Sequence, residues 1–263
     1  MFLTPDPRYV KSDAVILRRT DYSETSYVVA LLTREHGVMH ALAKGARRPK
    51  GIFAGEIDLL ARGQATILVR PRGGLHLLTE FSCRERYLAL RESPDAATAA
   101  LYAAEIAADA SPEGEGQPEV YDLLSQTLTR LGEDDFAPPL AFFQVHLLRL
   151  SGYMPNLDEC AICGAKIEGA RIVYSFIHSG PTCAQCRPQE GRSTTVSRAA
   201  VSVIGGLARM PVSRSARVRI PAALARETIA FLAGVISAAF EREPRMLRPL
   251  MKAVGRGARA RNA

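Results

Sequence analysis

Across the first 83 residues the apolar positions alternate or gather in short runs, whereas over most of the remaining chain they recur every three or four residues. Asp13–Arg19, Ser26–Thr33, Gly37–Ala43, Gln64–Val69 and Leu75–Ser82 are rich in Val, Ile, Leu and Thr and read as strands. Turn residues separate them, among them Arg34-Glu-His-Gly37 and Arg70-Pro-Arg-Gly-Gly74. Five short strands with no long helix between them predict a small closed barrel. The OB-fold is the commonest five-stranded form, and an SH3-like barrel fits the count almost as well.

Helical spacing begins after Arg84. It predicts helices over Pro94–Asp109, Val120–Leu131 and Leu140–Leu150, then over Thr195–Arg209 and Pro221–Phe240, with Pro221 suited to a first helical turn. Ser111–Gly116 and Gly132–Pro139 read as connecting loops. The longest apolar stretch, Ile229–Phe240, is too short to span a bilayer and reads as a buried helix. The opening residues lack the apolar segment of a signal peptide, so the expectation is a cytoplasmic, nucleoid-associated protein with no membrane role. The expected class is α+β: a barrel over 1–83 and a helical domain over 84–158 and 193–263. A small module over 159–192 interrupts that domain, and a basic tail ends it.

The interruption carries the sharpest chemical signal. Cys160-Ala-Ile-Cys163 and Cys183-Ala-Gln-Cys186 are two Cys-x-x-Cys pairs in a chain with only five cysteines. That spacing suits two tight turns, each presenting two thiolates to one tetrahedral Zn²⁺. Gly164 follows the first pair, where a positive φ lets the turn close. Ile172–Ile177 and the turn Ser179-Gly-Pro181 predict a hairpin between the pairs. A redox pair would need a neighbouring βαβ pattern, and disulfides would need an oxidising compartment. Four thiolates leave no position for water, so the expected ion is structural. Cys83 stands alone and reads as a small apolar residue.

The formal net charge of +7 is unevenly placed. Residues 1–84 carry 13 Lys and Arg against 8 Asp and Glu, residues 85–241 carry 14 against 18, and residues 242–263 carry 7 against 1. Basic ends around an acidic middle suit a polyanionic partner; in the last 22 residues a solvated, frayed tail is an equal reading. Lys44, Arg47, Arg48 and Lys50 share one carboxylate-free loop leaving a strand. Arg18 and Arg19 close the first strand, while Arg34, Arg70 and Arg72 lie in turns. These nine are the candidate nucleic-acid contacts, with phosphate the main target because Trp is absent and aromatics make up 6%. Tyr22, Tyr27 and Phe53 are candidates for base stacking, though core packing suits each better.

The catalytic inventory is thin. No phosphate-binding Gly-x-x-x-x-Gly-Lys loop, His-Glu-x-x-His pair or nucleophile elbow is present. His36, His40, His76, His146 and His178 are dispersed, and the acidic run Glu133–Asp135 reads as a solvated loop. The chain is therefore expected not to be an enzyme, with a metal-dependent nuclease and a zinc-ribbon factor binding RNA or a polymerase as the rival classes.

Ala14-Val-Ile-Leu-Arg-Arg-Thr-Asp-Tyr-Ser-Glu-Thr25, Leu32-Thr-Arg-Glu-His-Gly37 and Ala43-Lys-Gly-Ala-Arg-Arg48 together resemble the opening segment of the RecO family of DNA repair and recombination mediators. Leu148–Pro155 leading into Cys160-Ala-Ile-Cys-Gly164 resembles the same family's approach to its zinc module. Before the third cysteine relatives tend to carry Gly-Gly, where this chain has Ser179-Gly180. The resemblance implies an OB-fold followed by a helical domain with zinc. It also implies binding to single- and double-stranded DNA, strand annealing, partnership with RecR and single-strand-binding protein, and loading of RecA onto coated strands.

Overall fold

The computed structural model describes residues 8–53, 55–70, 74–133, 135–186, 191–217 and 219–259. It divides into two compact units. One holds the chain up to Leu88 together with Ala107–Ser125; the other holds Ala89–Ile106 and the chain from Gln126 onward.

The first unit is built on a closed barrel of β1 (Arg8–Ser23), β2 (Ser26–Thr33), β3 (Gly37–Ala43), β4 (Arg62–Val69) and β5 (His76–Glu85). Its order is β1-β2-β3-β5-β4, with every pairing antiparallel except β3 with β5. That is the OB arrangement. β1 is far longer than its apolar pattern predicts because it serves two neighbours. Residues 8–15 pair with β4 and residues 14–23 with β2, so the polar ends Lys11 and Thr20–Ser23 are held by backbone bonds and not by burial. A register shift between Ile16 and Arg18 bends the strand from one neighbour toward the other. Ile16, Val29, Leu31, Met39, Ala41, Ile67, Leu78 and Phe81 fill the interior, each from the inward side of an alternating strand.

β3 meets β5 only through residues 41–43, leaving the start of its edge open. The loop Ser111–Gly116 covers that edge: Val38 N–H donates to Ser111 O and Gly114 N–H to His36 O. Gly37 lies beneath it at φ +64°, where an added Cβ would stand 2.1 Å from the Pro112 carbonyl oxygen. Arg34 reaches Asp122 with Nε and Nη2 at 3.0 and 2.9 Å, in a bidentate pair that tightens the same corner.

The second unit is helical. α1 (Pro94–Asp109) and α2 (Pro118–Leu131) run through both units; α3 (Ala137–Leu150), α4 (Arg198–Arg209), α5 (Ala222–Ala239) and α6 (Leu247–Arg259) belong to the second. α3 is the centre, buried on nearly every side from Ala137 to Leu148. Its two buried polar side chains bond to neighbours: Gln144 Nε2 donates to Tyr102 OH and to Ile229 O, leaving its Oε1 without a partner among the described residues, and His146 Nε2 lies 3.2 Å from Leu207 O. α3 starts at Ala137 and not at Leu140, because Pro138 and Pro139 fit a first turn, whose N–H groups need no helical partner. α5 is long and apolar enough to cross a membrane by composition, and half of it packs into this core.

One expectation fails here. Thr195–Ser197 belongs to a strand, β8 (Ser193–Ser197), and the helix begins only at Arg198. Thr194, Thr195 and Val196 are β-branched, and Ser197 caps α4 by accepting the Ala200 N–H. The basic tail is a helix as far as Arg259, with Leu250, Ala253 and Val254 buried.

Replacing Gly37 by Ala should destabilise the barrel unit by about 2 kcal/mol, since both φ and the covering loop oppose a side chain. Thermal melting and protease cleavage within 111–116 would report it; wild-type stability would show that the loop yields freely.

Candidate metal centre and nucleic-acid interface

The strand β6 (Arg171–Ser175) pairs with β7 (Gly180–Thr182) on one side and β8 on the other, so the expected hairpin is the core of a three-stranded sheet. The first cysteine turn closes through Gly164 N–H to Cys160 O at 2.9 Å and Cys160 N–H to Ala165 O at 2.8 Å, with Gly164 at φ +73° as its place in the turn predicts. The second closes through Cys186 N–H to Cys183 O at 3.2 Å. Ala161 N–H to Pro181 O joins the two turns. Ser179 takes φ +50°, the left-handed region where glycine is at ease. The next position admits no side chain: a Cβ on Gly180 would stand 2.8 Å from that of Ala161.

Cys160, Cys163, Cys183 and Cys186 thereby bring all four sulfurs within 4.8 Å of one another, and no disulfide forms among them. The Cys163–Cys183 sulfur separation is 3.8 Å. Metal–sulfur bonds of about 2.3 Å in a tetrahedron place sulfurs about 3.8 Å apart, so the cage fits one such ion. Protonation agrees with the geometry. Backbone N–H groups of Cys163, Cys183 and Ile162 draw the Cys160 thiol down to about 6. The sulfurs of Cys163 and Cys183 share the proton of Cys186 and push its thiol up to about 12. Four neighbouring thiols cannot all ionise unless a cation compensates them. His178 is exposed and not part of the cluster; Cys83 is not part of it either, and its half-buried thiol is pushed up by desolvation.

The module is anchored on both sides. Tyr174 packs edge-on against Phe231 of α5, with ring centroids 5.2 Å apart. Glu227 of α5 accepts both the N–H and the hydroxyl of Ser197 at 2.8 Å, and Arg198 donates to the carbonyls of Ile167 and Gly169.

The basic loop sits where β3 leaves the barrel. Ala46 and Phe53 are buried in the barrel core, while Lys44, Arg47, Arg48 and Lys50 all face solvent. Arg47 N–H donates to Thr25 O and Gly45 N–H to Ser26 Oγ, so the loop lies against the β1–β2 turn. There the Arg19 and Arg47 guanidinium groups stand over the Tyr27 ring, 4.9 and 5.7 Å from its centroid. Arg19 also donates to Ile57 O and lies 3.7 Å from Asp58; Arg47 donates to Ser23 O and pairs with Asp21 at 3.1 Å. Arg18, Lys44, Arg48 and Lys50 are exposed and form no ion pair among the described residues.

The nine cations are thus not one patch. Arg34 is tied to Asp122, and Arg70 stands at the end of β4, its backbone N–H on His76 Nδ1. Arg72 lies outside the described residues. Of the aromatic candidates, Phe53 is wholly buried, Tyr22 is exposed, and Tyr27 is half-buried beneath two guanidiniums. Sequence reasoning counted the cations after residue 241 but did not predict that α6 orders them, although Leu247, Leu250, Met251 and Val254 carried a helical period.

Comparison with known proteins matches the profile "Recombination protein O N terminal" over residues 8–87 and "Recombination protein O C terminal" over 91–248. The chain belongs to the RecO family. Among its relatives, the DNA repair protein RecO of Desulforudis audaxviator is 33% identical over 92% of this chain and 96% of its own length. Those of Rhodopirellula baltica and Myxococcus xanthus are each 35% identical, over 75% and 79% of this chain and 74% and 86% of their own. As a RecO protein the chain belongs to DNA repair and recombination, and its OB barrel and four-cysteine cluster suit that membership.

Titration of metal-free protein with Co²⁺ should produce thiolate-to-metal absorption that saturates at one ion per chain. Cys160→Ala should lose that tight binding and melt at lower temperature, because metal binding and folding of the module are linked. A Cys160→Ala protein with undiminished uptake would contradict the assignment.

Proposed function

We propose that this RecO protein binds single- and double-stranded DNA through its barrel and anneals complementary strands. With RecR, it helps load RecA onto single strands coated by single-strand-binding protein. The carrying observation is the loop 44–53: two apolar side chains pin it to the barrel and hold four cations outward, beside a tyrosine roofed by two arginines. Stacking on the ring holds each guanidinium in place; Nη1 of Arg19 is engaged by Ile57 O and Nη1 of Arg47 by Ser23 O and Asp21, and their remaining N–H groups can fork onto phosphate oxygens.

In this reading Arg18, Arg19, Lys44, Arg47, Arg48 and Lys50 follow one backbone, and Tyr27 offers a face to a base; Arg34, Arg70 and Arg72 contribute charge around it. DNA contact belongs to residues 1–83, while the helical parts, 84–158 and 193–263, carry the module at 159–192. Its ion is Zn²⁺, which favours four thiolates in a tetrahedron and has no redox chemistry. The ion is structural, and the protein works in the cytoplasm on chromosomal DNA by binding, with no covalent step.

If the barrel neutralises about 5 phosphates on a single strand, the log–log salt slope should be about −3.5. Arg47→Ala with Arg48→Ala should weaken binding alike across sequences and reduce the slope by roughly 1–2. Fluorescence anisotropy between low and physiological salt measures both. A flat slope, or an unaltered one in the double variant, would move the contact off this loop.

A further inference from the structure

α6 is tightly placed for a segment so rich in Arg. The Glu105 carboxylate of α1 accepts the backbone N–H groups of Arg245 and Met246 at 2.8 and 2.9 Å, meeting donors that the start of α6 leaves unpaired. The same carboxylate pairs with Arg242 at 3.4 Å, and farther along α6 Arg256 pairs with Asp95 of α1. Leu250, Ala253 and Val254 are buried beneath. The helix is therefore clamped near both ends and fixed in rotation.

That rotation sends one set of side chains out. Arg248 and Lys252, four residues apart, are exposed on one helix face, and Arg245 precedes them in the leading turn. One carboxylate opposes them, Glu243, 3.5 Å from Arg248, and both partners are exposed, so the pair holds the guanidinium weakly. From Arg248 to Lys252 the axis rises about 6 Å. Over that length one strand of B-form DNA presents about two phosphates. A lipid surface suits this helix less, because an interfacial helix inserts its apolar face and this one has buried its own in the protein.

We propose that the solvent face of α6 is a second phosphate-backbone site, which holds a nucleic-acid strand other than the one on the barrel. The inference rests on the DNA-binding reading above and deepens it: one site in each unit lets a single chain hold two strands, as annealing requires. Arg245, Arg248 and Lys252 contact phosphate, and Arg256 positions the helix through Asp95.

The test uses the full chain and two non-complementary oligonucleotides, one with a donor dye and one with an acceptor. The unmodified protein should bring them into energy transfer. Arg245→Gln, Arg248→Gln and Lys252→Gln together should weaken that bridging at least tenfold with an unchanged melting temperature, and Arg245→Lys with Arg248→Lys should retain it. Undiminished bridging in the glutamine variant overturns the proposal. So does binding of one strand without any bridging by the unmodified protein, a result that leaves the barrel reading intact. Failure to bind either strand would remove both readings. Loss of binding to anionic vesicles in the glutamine variant, with bridging unaffected, would assign the helix to a lipid surface and also overturn the proposal.

Discussion

The barrel closes because one strand is shared. β1 pairs with β4 along its first half and with β2 along its second, and the bend at Ile16–Arg18 carries it from one to the other. Closure removes free strand edges except along the start of β3, and Ser111–Gly116 covers that stretch. Ile16, Leu31, Ile67 and Phe81 fill the closed barrel with side chains. The proposed recognition is therefore on the outside, at a loop whose Ala46 and Phe53 plug into the core. Apolar burial thus fixes where the charges of Lys44, Arg47, Arg48 and Lys50 project.

The cysteine module solves a different problem with a different force. Its three short strands enclose too little apolar area to fold as an independent body, and its four clustered sulfurs are placed so that one ion could supply the missing cross-link. The module then passes order onward. β8 pairs with β6, ends in the cap Ser197, and through Glu227 fixes α4 against α5. Tyr174 against Phe231 secures the other face of the sheet. An ion held by the four sulfurs would therefore bear on the helical unit through these contacts.

How much of this was legible follows from which force holds each part. The Cys-x-x-Cys spacing is a local constraint, so all four ligands were readable as residues. β2 and β3 were readable to their ends because β2 is one apolar run and burial alternates along β3, whereas the ends of β1 are held by backbone pairing that composition does not reveal. β8 was misread because Thr194–Val196 runs directly into a helix, and only the cap at Ser197 marks the change. The order of the basic segment that holds α6 stayed open in the sequence, because charge alone does not separate a helix from a frayed tail. Its clamps, Glu105 and Asp95, lie 140 and 161 residues away in sequence from the groups they hold. The cluster of cations at 44–50 was visible, but the pairing of Arg34 with Asp122 and of Arg47 with Asp21 was not, since ion pairs across the fold leave no trace in spacing.

The central claim is that anchored cations let this RecO protein hold strands and join them. The most direct measurement is the annealing rate of complementary oligonucleotides, each coated by single-strand-binding protein, with and without the full chain. The account predicts that annealing is accelerated at low salt and that the acceleration fades as salt rises. An unaltered rate at every salt concentration, with the coating intact, would contradict it.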